Sequence, residues 1–103
     1  MGGYSKYNAC PCIIDGIRFA SQSEAKRYGE LKLLERAGKI VGLTLQPIFR
    51  LYAGIVYVGD FEYYEGANRV VEDVKGVQTD VFKLKRKLFE FDYPDIDFRV
   101  IPV

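Results

Sequence analysis

The stretch Arg69-Val70-Val71-Glu72-Asp73-Val74-Lys75-Gly76 decides how the rest of this chain can be arranged. It is rich in Val and has turn-forming residues on both sides, which is typical of a short strand. Because side chains alternate faces along a strand, Asp73 and Lys75 are predicted to share one face while Glu72 points to the other. A carboxylate beside an ammonium at a strand end can hold a divalent metal against a phosphate when a second carboxylate is near, and Asp60 lies thirteen positions earlier on a predicted neighbouring strand. Alternatively, such a pair is an ordinary solvated surface ion pair.

The length and composition indicate one packed domain. The chain has 103 residues, and an apolar content of 49% excludes a disordered segment. We expect an N-terminal arm at residues 1–12 and a single domain at 13–103. No apolar run approaches the roughly 20 residues of a membrane span. The first residues also lack the apolar core of a signal peptide, so a cytoplasmic location is expected.

The sequence contains no histidine. This excludes nucleases and hydrolases that depend on a histidine base, and also Ser-His and Cys-His nucleophile pairs. Hydrolytic chemistry would have to use carboxylates, Lys, Tyr and a hard cation bound by oxygen ligands. That requirement indicates Mg²⁺, with Mn²⁺ as the alternative.

The two cysteines suggest no site. Cys10 and Cys12 are two positions apart, which is a poor spacing for a mutual disulfide. With no further Cys, a four-thiolate zinc site is excluded. Two ordinary thiols are the simpler interpretation.

A hairpin and a helix are predicted before the first long strand. Residues 13–19 contain Asp15-Gly16, the signature of a tight turn. Ser21 is a good N-cap for a helix over residues 22–37, which Gly38 ends. An apolar stripe at helical spacing consists of Ala25, Tyr28, Leu31, Leu34 and Ala37.

Glu24 has two competing interpretations. Ser21-x-x-Glu24 fits a capping box, which alone explains a Glu at this position. A Glu in the first turn of a helix packed against the sheet could instead point at the same metals as Asp60 and Asp73. Both interpretations stay open at this point.

Three strands are predicted next, at residues 43–52, 55–64 and 69–75, with short connections that favour an antiparallel meander. Pro47 cannot donate to a strand ladder, so it is expected at an edge or a bulge. Asp60 falls inside the second predicted strand, among apolar and aromatic neighbours. An ionised Asp there needs a partner.

A second helix is predicted at residues 80–92, followed by Pro94 and a last strand at 96–101. This helix carries a basic run, which could be a solvated face or a surface that binds a polyanion. The run consists of Lys83, Lys85, Arg86 and Lys87.

These elements and motifs carry a family resemblance. Gly59-Asp60 followed by Asp73-Val74-Lys75, with Glu24 in the preceding helix, resembles the site pattern of archaeal-type Holliday junction resolvases of the PD-(D/E)xK nuclease superfamily. From residue 13 to 100 the chain is also similar to small phage endonucleases of this type. The shared stretches are Asp15-Gly16-Ile17-Arg18-Phe19, Ser23-Glu24-Ala25-Lys26-Arg27-Tyr28, Leu45-Gln46-Pro47 and Glu72-Asp73-Val74-Lys75-Gly76.

The resemblance implies an α/β (α+β) fold with a restriction-endonuclease-like α-β-β-β-α-β core, a mixed central sheet flanked by helices, and an N-terminal β-hairpin. Two positions depart from the superfamily pattern. Gly59 replaces the usual Pro before the first Asp, which removes no ligand. Asp73 takes the place usually held by Glu, with Glu72 beside it. Strand alternation favours Asp73 as the ligand, whereas a bulge would reverse the choice.

The implied activity is magnesium-dependent phosphodiester hydrolysis. Asp60 and Asp73, with Glu24 and the backbone carbonyl of Val74, are expected to hold one or two Mg²⁺ ions. Lys75 is expected to stabilise developing charge or to orient the nucleophile. Gln78 and Lys85 would contact the phosphate next to the cut, and the basic helix would position the DNA backbone.

The expected substrate is a four-way DNA junction, which two related cuts by a homodimer would resolve. Two alternatives remain: another nuclease of the same fold acting on other DNA, and a catalytically silent module that binds nucleic acid. For a phage-encoded enzyme, the expected location is the host cytoplasm.

Overall fold

The structure is a computed structural model that describes residues 11–103. The expectations for Cys10 and for most of the N-terminal arm lie outside the described residues. Besides a short 3-10 helix at Tyr52–Gly54, the described residues form two α-helices and eight strands. They are β1 (Cys12–Ile14), β2 (Ile17–Phe19), α1 (Gln22–Arg36), β3 (Val41–Leu45), β4 (Ile48–Arg50), β5 (Val56–Val58), β6 (Phe61–Glu65), β7 (Asn68–Lys75), α2 (Asp80–Asp92) and β8 (Ile96–Pro102).

The predicted N-terminal hairpin is confirmed as β1 and β2, which pair antiparallel. β1 begins at Cys12, inside the segment expected to be an arm. The turn residue Asp15 has a φ of 54°, a left-handed conformation that Asp tolerates better than most residues. The Tyr28 hydroxyl donates to Asp15 Oδ2 at 2.9 Å and ties the turn of the hairpin to α1.

The first helix begins where its cap predicts. The Ser21 side chain accepts a hydrogen bond from the backbone N–H of Glu24 at 3.2 Å. The helix ends at Arg36, one residue before the predicted end, and Gly38 follows with a φ of 75°. Ala25, Tyr28 and Leu31 of the predicted apolar stripe are buried. Its last two members, Leu34 and Ala37, are exposed.

The central sheet has four strands in the order β3-β6-β7-β8. β3, β6 and β7 pair antiparallel, as the meander predicts, and β8 joins β7 in parallel. The predictions of single strands at 43–52 and 55–64 are wrong. Each stretch bends and divides, so β3 and β6 stay in the central sheet while β4 and β5 form a separate two-stranded ribbon.

The two bends lie side by side and are held by backbone hydrogen bonds. Gln46, with a φ of 51°, donates its N–H to the Asp60 carbonyl, and Gly59 donates to the Pro47 carbonyl, each at 3.0 Å. Pro47 therefore sits at an irregularity, as expected. Asp60 is not inside a strand as predicted, because it lies in the bend between β5 and β6.

Gly59 fills a tight space in this bend. A Cβ atom added there would meet Val71 Cγ1 at 3.0 Å and Pro47 Cγ at 3.4 Å. The backbone of Gly59 is pressed against two neighbouring elements, so a larger residue would have to displace them.

Each face of the sheet packs on one helix. The α1 face buries Leu31, Phe61 and Val70, and the α2 face buries Val71, Phe89 and Phe98. α2 begins after the N-cap Thr79, whose side chain accepts from the N–H of Phe82, and its predicted limits are confirmed. Within residues 11–103, neither helix has the length and apolar character needed to cross a membrane.

Candidate active site

The bend at Asp60 directs its side chain at the end of β7. Asp60 Oδ2 accepts a hydrogen bond from the backbone N–H of Val74 at 2.7 Å, and the Asp60 N–H donates to the Glu72 carbonyl at 3.0 Å. Asp60 is thus hydrogen-bonded to the backbone of Glu72 and Val74, the two residues that flank Asp73 in β7. Val74, predicted to contribute its carbonyl to the site, contacts Asp60 through its backbone N–H.

Asp73 is buried on the α2 face of β7. Its Oδ2 accepts a hydrogen bond from the hydroxyl of Tyr57, which comes from β5. Its Oδ1 lies 3.5 Å from Lys75 Nζ. Strand alternation thus places Asp73 and Lys75 on one face, as predicted.

Lys75 reaches along the α2 face into a groove. Its ammonium lies 4.9 Å from the centroid of the Phe82 ring, a cation–π contact that fixes its direction. The groove has a volume of about 340 Å³. Its polar lining consists of Asp73, Lys75, Thr79 and Lys85.

Glu24 approaches the same carboxylates from the first turn of α1. It shares a cleft of about 130 Å³ with Asp60, on the opposite side of the site from the groove. Burial raises the pKa of Glu24 above its ordinary value, the charge of Asp73 raises it further, and Lys75 opposes the rise. Glu24 therefore has two roles that do not exclude each other. Its backbone N–H donates to the N-cap Ser21, and its side chain lies close enough to the site for the charges of Asp73 and Lys75 to act on it.

The surroundings of Asp60 strongly raise its pKa. Burial raises the pKa of Asp60 to about 7, against the hydrogen bond from the Val74 N–H, and the charges of Asp73 and Glu24 add to the rise. Asp60 and Asp73 are close enough to share a hydrogen bond. At neutral pH Asp60 therefore carries a proton for part of the time, and a cation would compete with that proton.

The donor chemistry fits a hard divalent cation. Asp60 and Asp73 offer carboxylate oxygens side by side, with Glu24 on the far side of the cleft, and Mg²⁺ prefers such oxygens and retains several waters. Within residues 11–103, no three side chains of the His, Cys, Asp and Glu types lie close enough to enclose a metal ion. The carboxylate oxygens of Asp60 and Asp73 match what Mg²⁺ prefers, and Glu24 lines the same cleft as Asp60.

Glu72 lies on the other face of β7 and is engaged elsewhere. It is fully buried, and its carboxylate accepts from Arg27 Nε at 2.7 Å and from Arg27 Nη2 at 2.6 Å. The Tyr63 hydroxyl donates to the same carboxylate. Of the two neighbouring acids, Asp73 faces Asp60 and Lys75, whereas Glu72 faces Arg27 and Tyr63.

The four basic residues of α2 lie in different surroundings. Lys85 lines the groove and donates to the Val56 carbonyl at 3.1 Å. Arg86 packs its guanidinium 5.4 Å from the centroid of the Phe98 ring, over the core. Lys83 and Lys87 are exposed, without a carboxylate partner among the described residues. Of the four, Lys85 lines the groove, and Arg86 is near enough for its charge to oppose the rise in the pKa of Tyr57, whose hydroxyl holds Asp73.

Sequence reasoning missed two residues of the site. The sequence alone identifies no role for Tyr57, yet its hydroxyl donates a hydrogen bond to Asp73. Thr79 lines the groove, whereas the exposed Gln78 before it does not. Neither residue belongs to the motif, and both contacts depend on how β5 and α2 pack on β7.

The elements and site together define a class of domain. It is a mixed α+β domain with the core order α-β-β-β-α-β and a carboxylate–lysine site where the sheet bends. The chain belongs to the family described as "Protein of unknown function (DUF1064)", whose model matches residues 4–102. No curated protein matches its sequence.

Proposed function

We propose that this protein is a divalent-metal-dependent DNA endonuclease that hydrolyses phosphodiester bonds, with four-way junctions as its substrate. One observation carries the proposal: two adjacent carboxylates, Asp60 and Asp73, lie beside Lys75 at a strand end. The element order and the motif resemblance to PD-(D/E)xK nucleases support it. The chemistry needs no histidine, which the chain lacks.

Each residue has a role that its surroundings support. Asp60 and Asp73 would hold the cation, and Glu24 would orient water in the cleft. When bound, Mg²⁺ would supply charge for the scissile phosphate and lower the pKa of a bound water. Lys75 would stabilise the charge that develops on the phosphate, because its ammonium lies 3.5 Å from Asp73 and its stem is directed by Phe82.

The groove on the α2 side would take the DNA backbone. Lys75 and Lys85 line it, so a phosphate next to the cut would meet both ammonium groups. Lys83 and Lys87 would make further phosphate contacts, together with Gln78. Arg86 would act mainly by packing, since its guanidinium lies over Phe98.

A junction with two-fold symmetry would be cut by a homodimer, each copy supplying one complete site. We propose that this happens in the cytoplasm, that of the host if the protein is encoded by a phage. Nicking of other DNA by the same site, and DNA binding without cleavage, are the outcomes that compete with this proposal.

A matched substrate panel tests the function. Purified protein with Mg²⁺ is incubated with a four-way junction, a fork, a duplex and a single strand of related sequence. Paired cuts in the junction are expected, and Asp73→Asn should lose about a hundredfold or more in rate while still binding DNA. Asp95→Asn, at an exposed position after α2, is the matched control and should retain the rate.

Three results would contradict the proposal in different ways. Faster cleavage of a fork or duplex would change the substrate. Binding without cleavage at any Mg²⁺ or Mn²⁺ concentration would indicate a silent module. Full activity of Asp73→Asn would mean that the site is wrong.

A further inference from the structure

A buried acid next to the site has no role in the proposed chemistry. Glu72 is completely buried, although it directly precedes Asp73. Both of its carboxylate oxygens are occupied: Oε1 by Arg27 Nε and Oε2 by Arg27 Nη2 and the Tyr63 hydroxyl. Glu72 therefore cannot serve as a ligand without breaking this arrangement.

The partner of Glu72 lies on the helix turn that carries Glu24. Residues three apart on a helix are surface neighbours, separated by about 4.5 Å along the axis. Arg27 is three residues after Glu24, so the ion pair joins this turn of α1 to the strand position beside Asp73. The ion pair thus connects Arg27, a neighbour of Glu24 on the helix surface, to Glu72, which directly precedes Asp73. The distance between Glu24 and Asp73 depends on this connection.

The form of the link specifies orientation as well as distance. A bidentate Arg–carboxylate pair fixes two parallel hydrogen bonds in one plane, which a lysine or an apolar contact cannot do. Arg27 also lies 3.0 Å from Glu30 on its own helix, so its guanidinium is held on both sides. Stability alone does not require such a pair, since apolar replacements of buried ion pairs are often neutral or stabilising.

We propose that Arg27 and Glu72 form a positioning pair that holds Glu24 in register with Asp73. Neither residue touches the reacting atoms. The inference rests on the proposed nuclease function and on Glu24 taking part in it. A purely structural pair would stabilise the fold without acting through Glu24.

A double-mutant cycle distinguishes the two roles. Single-turnover cleavage rates are measured for wild type, Arg27→Lys, Glu24→Gln and the double variant at saturating DNA and Mg²⁺. Arg27→Lys should slow wild type by about tenfold but slow Glu24→Gln by less than about twofold, because the positioned group is then already lost. Metal-free DNA binding should stay within about twofold of wild type, since no phosphate contact has changed.

Arg36→Lys is the matched control, an exposed arginine at the far end of α1 without a carboxylate partner among the described residues. Its rate should be unchanged in both backgrounds. If Arg27→Lys lowers the cleavage rate by the same factor in wild type and in the Glu24→Gln background, the positioning role is overturned. If wild type cleaves no DNA, the nuclease proposal and this inference both fail, whereas cleavage with an additive cycle overturns the inference alone.

Two further variants keep the inference testable if Arg27→Lys does not fold. Tyr63→Phe removes one donor to Glu72 and should show the same dependence on Glu24 with a smaller loss. Replacing Arg27 and Glu72 together by Met keeps the volume filled but removes the planar link. That double variant should melt near the wild-type temperature and cleave slowly, and full activity with it would overturn the proposal.

Discussion

Asp60 Oδ2 accepts a hydrogen bond from the Val74 backbone N–H at 2.7 Å, linking the bend after β5 to the end of β7. This bond stabilises the charged form of Asp60, yet burial and two neighbouring acids outweigh it. A protonated Asp60 is therefore better accommodated in the metal-free protein than an ionised one.

A pH dependence of stability follows. Because the pKa of Asp60 rises from 3.8 to about 7 on folding, the folded protein holds a proton that the unfolded chain releases. The stabilising contribution of the protonated form is fully present below pH 3.8 and is lost as the pH rises through about 7. Asp60→Asn should remove this dependence and raise the unfolding free energy at pH 8 by on the order of 2 kcal/mol, reduced by partial exposure.

Urea unfolding in EDTA from pH 4 to pH 8 measures this effect. Asp95→Asn serves as the exposed control, for which the slope with pH should match wild type. An Asp60→Asn variant that follows the wild-type slope would show that Asp60 ionises normally in the folded protein.

The hydroxyl of Tyr57 should matter more than that of another tyrosine. Tyr57→Phe keeps the ring contacts with Phe89 and Phe98, whose centroids lie 5.6 Å away, but leaves buried Asp73 without this donor. We expect a loss of about 1–3 kcal/mol in unfolding free energy and slower cleavage. Tyr93→Phe, which loses an exposed bond to the Arg50 carbonyl, should cost less by the same denaturation assay. Equal losses would mean that the Asp73 contact is unimportant.

Substitutions of the basic residues of α2 should have different effects. Lys85→Ala should weaken DNA binding and reduce the salt slope of the binding constant by about 1, as expected for the loss of one phosphate contact. Arg86→Ala should mainly lower the melting temperature, since its guanidinium packs on Phe98. Fluorescence anisotropy over a range of salt concentrations, with thermal unfolding alongside, measures both. A salt slope unchanged in Lys85→Ala would place the DNA on another surface.

Substitutions at Ser21 and Glu24 should distinguish helix capping from catalysis. Ser21→Ala removes the acceptor for the Glu24 N–H and should cost about 1 kcal/mol of stability. Glu24→Gln keeps that backbone bond, so the melting temperature should hold while the cleavage rate falls or more Mg²⁺ is required. Calorimetry and a Mg²⁺ titration of the rate provide the two measurements. Full activity of Glu24→Gln at limiting Mg²⁺ would leave Glu24 as a capping residue only.

The helices could be predicted from the sequence because their signals are local. Ser21 and Thr79 both cap as their residue types suggest, and Pro94 marks where α2 must have ended. That Asp73 and not Glu72 shares a face with Lys75 was likewise predictable, since alternation along β7 needs only the two-residue period.

The divided strands were not predictable in the same way. Residues 43–52 and 55–64 show strand-forming character throughout, and their bends arise because β6 pairs with β7 while β5 pairs only with β4. The choice of partner is a tertiary effect that overrides local propensity. Pro47 and Gly59 were the available hints, and they mark both bends. The position of Tyr57 depends on the same bend, so its hydrogen bond to Asp73 could not be predicted either.

The close packing at Gly59 also restricts which substitutions this bend can accept. The resembling nucleases usually have Pro before the first Asp, whereas here the proline stands across the bend at position 47 and receives the Gly59 N–H at 3.0 Å. A proline at 59 would lose that donor, and its ring would enter space already filled by Val71 and Pro47. A sequence carrying Pro at 59 would therefore have to make room beside Val71 and to satisfy the Pro47 carbonyl in another way.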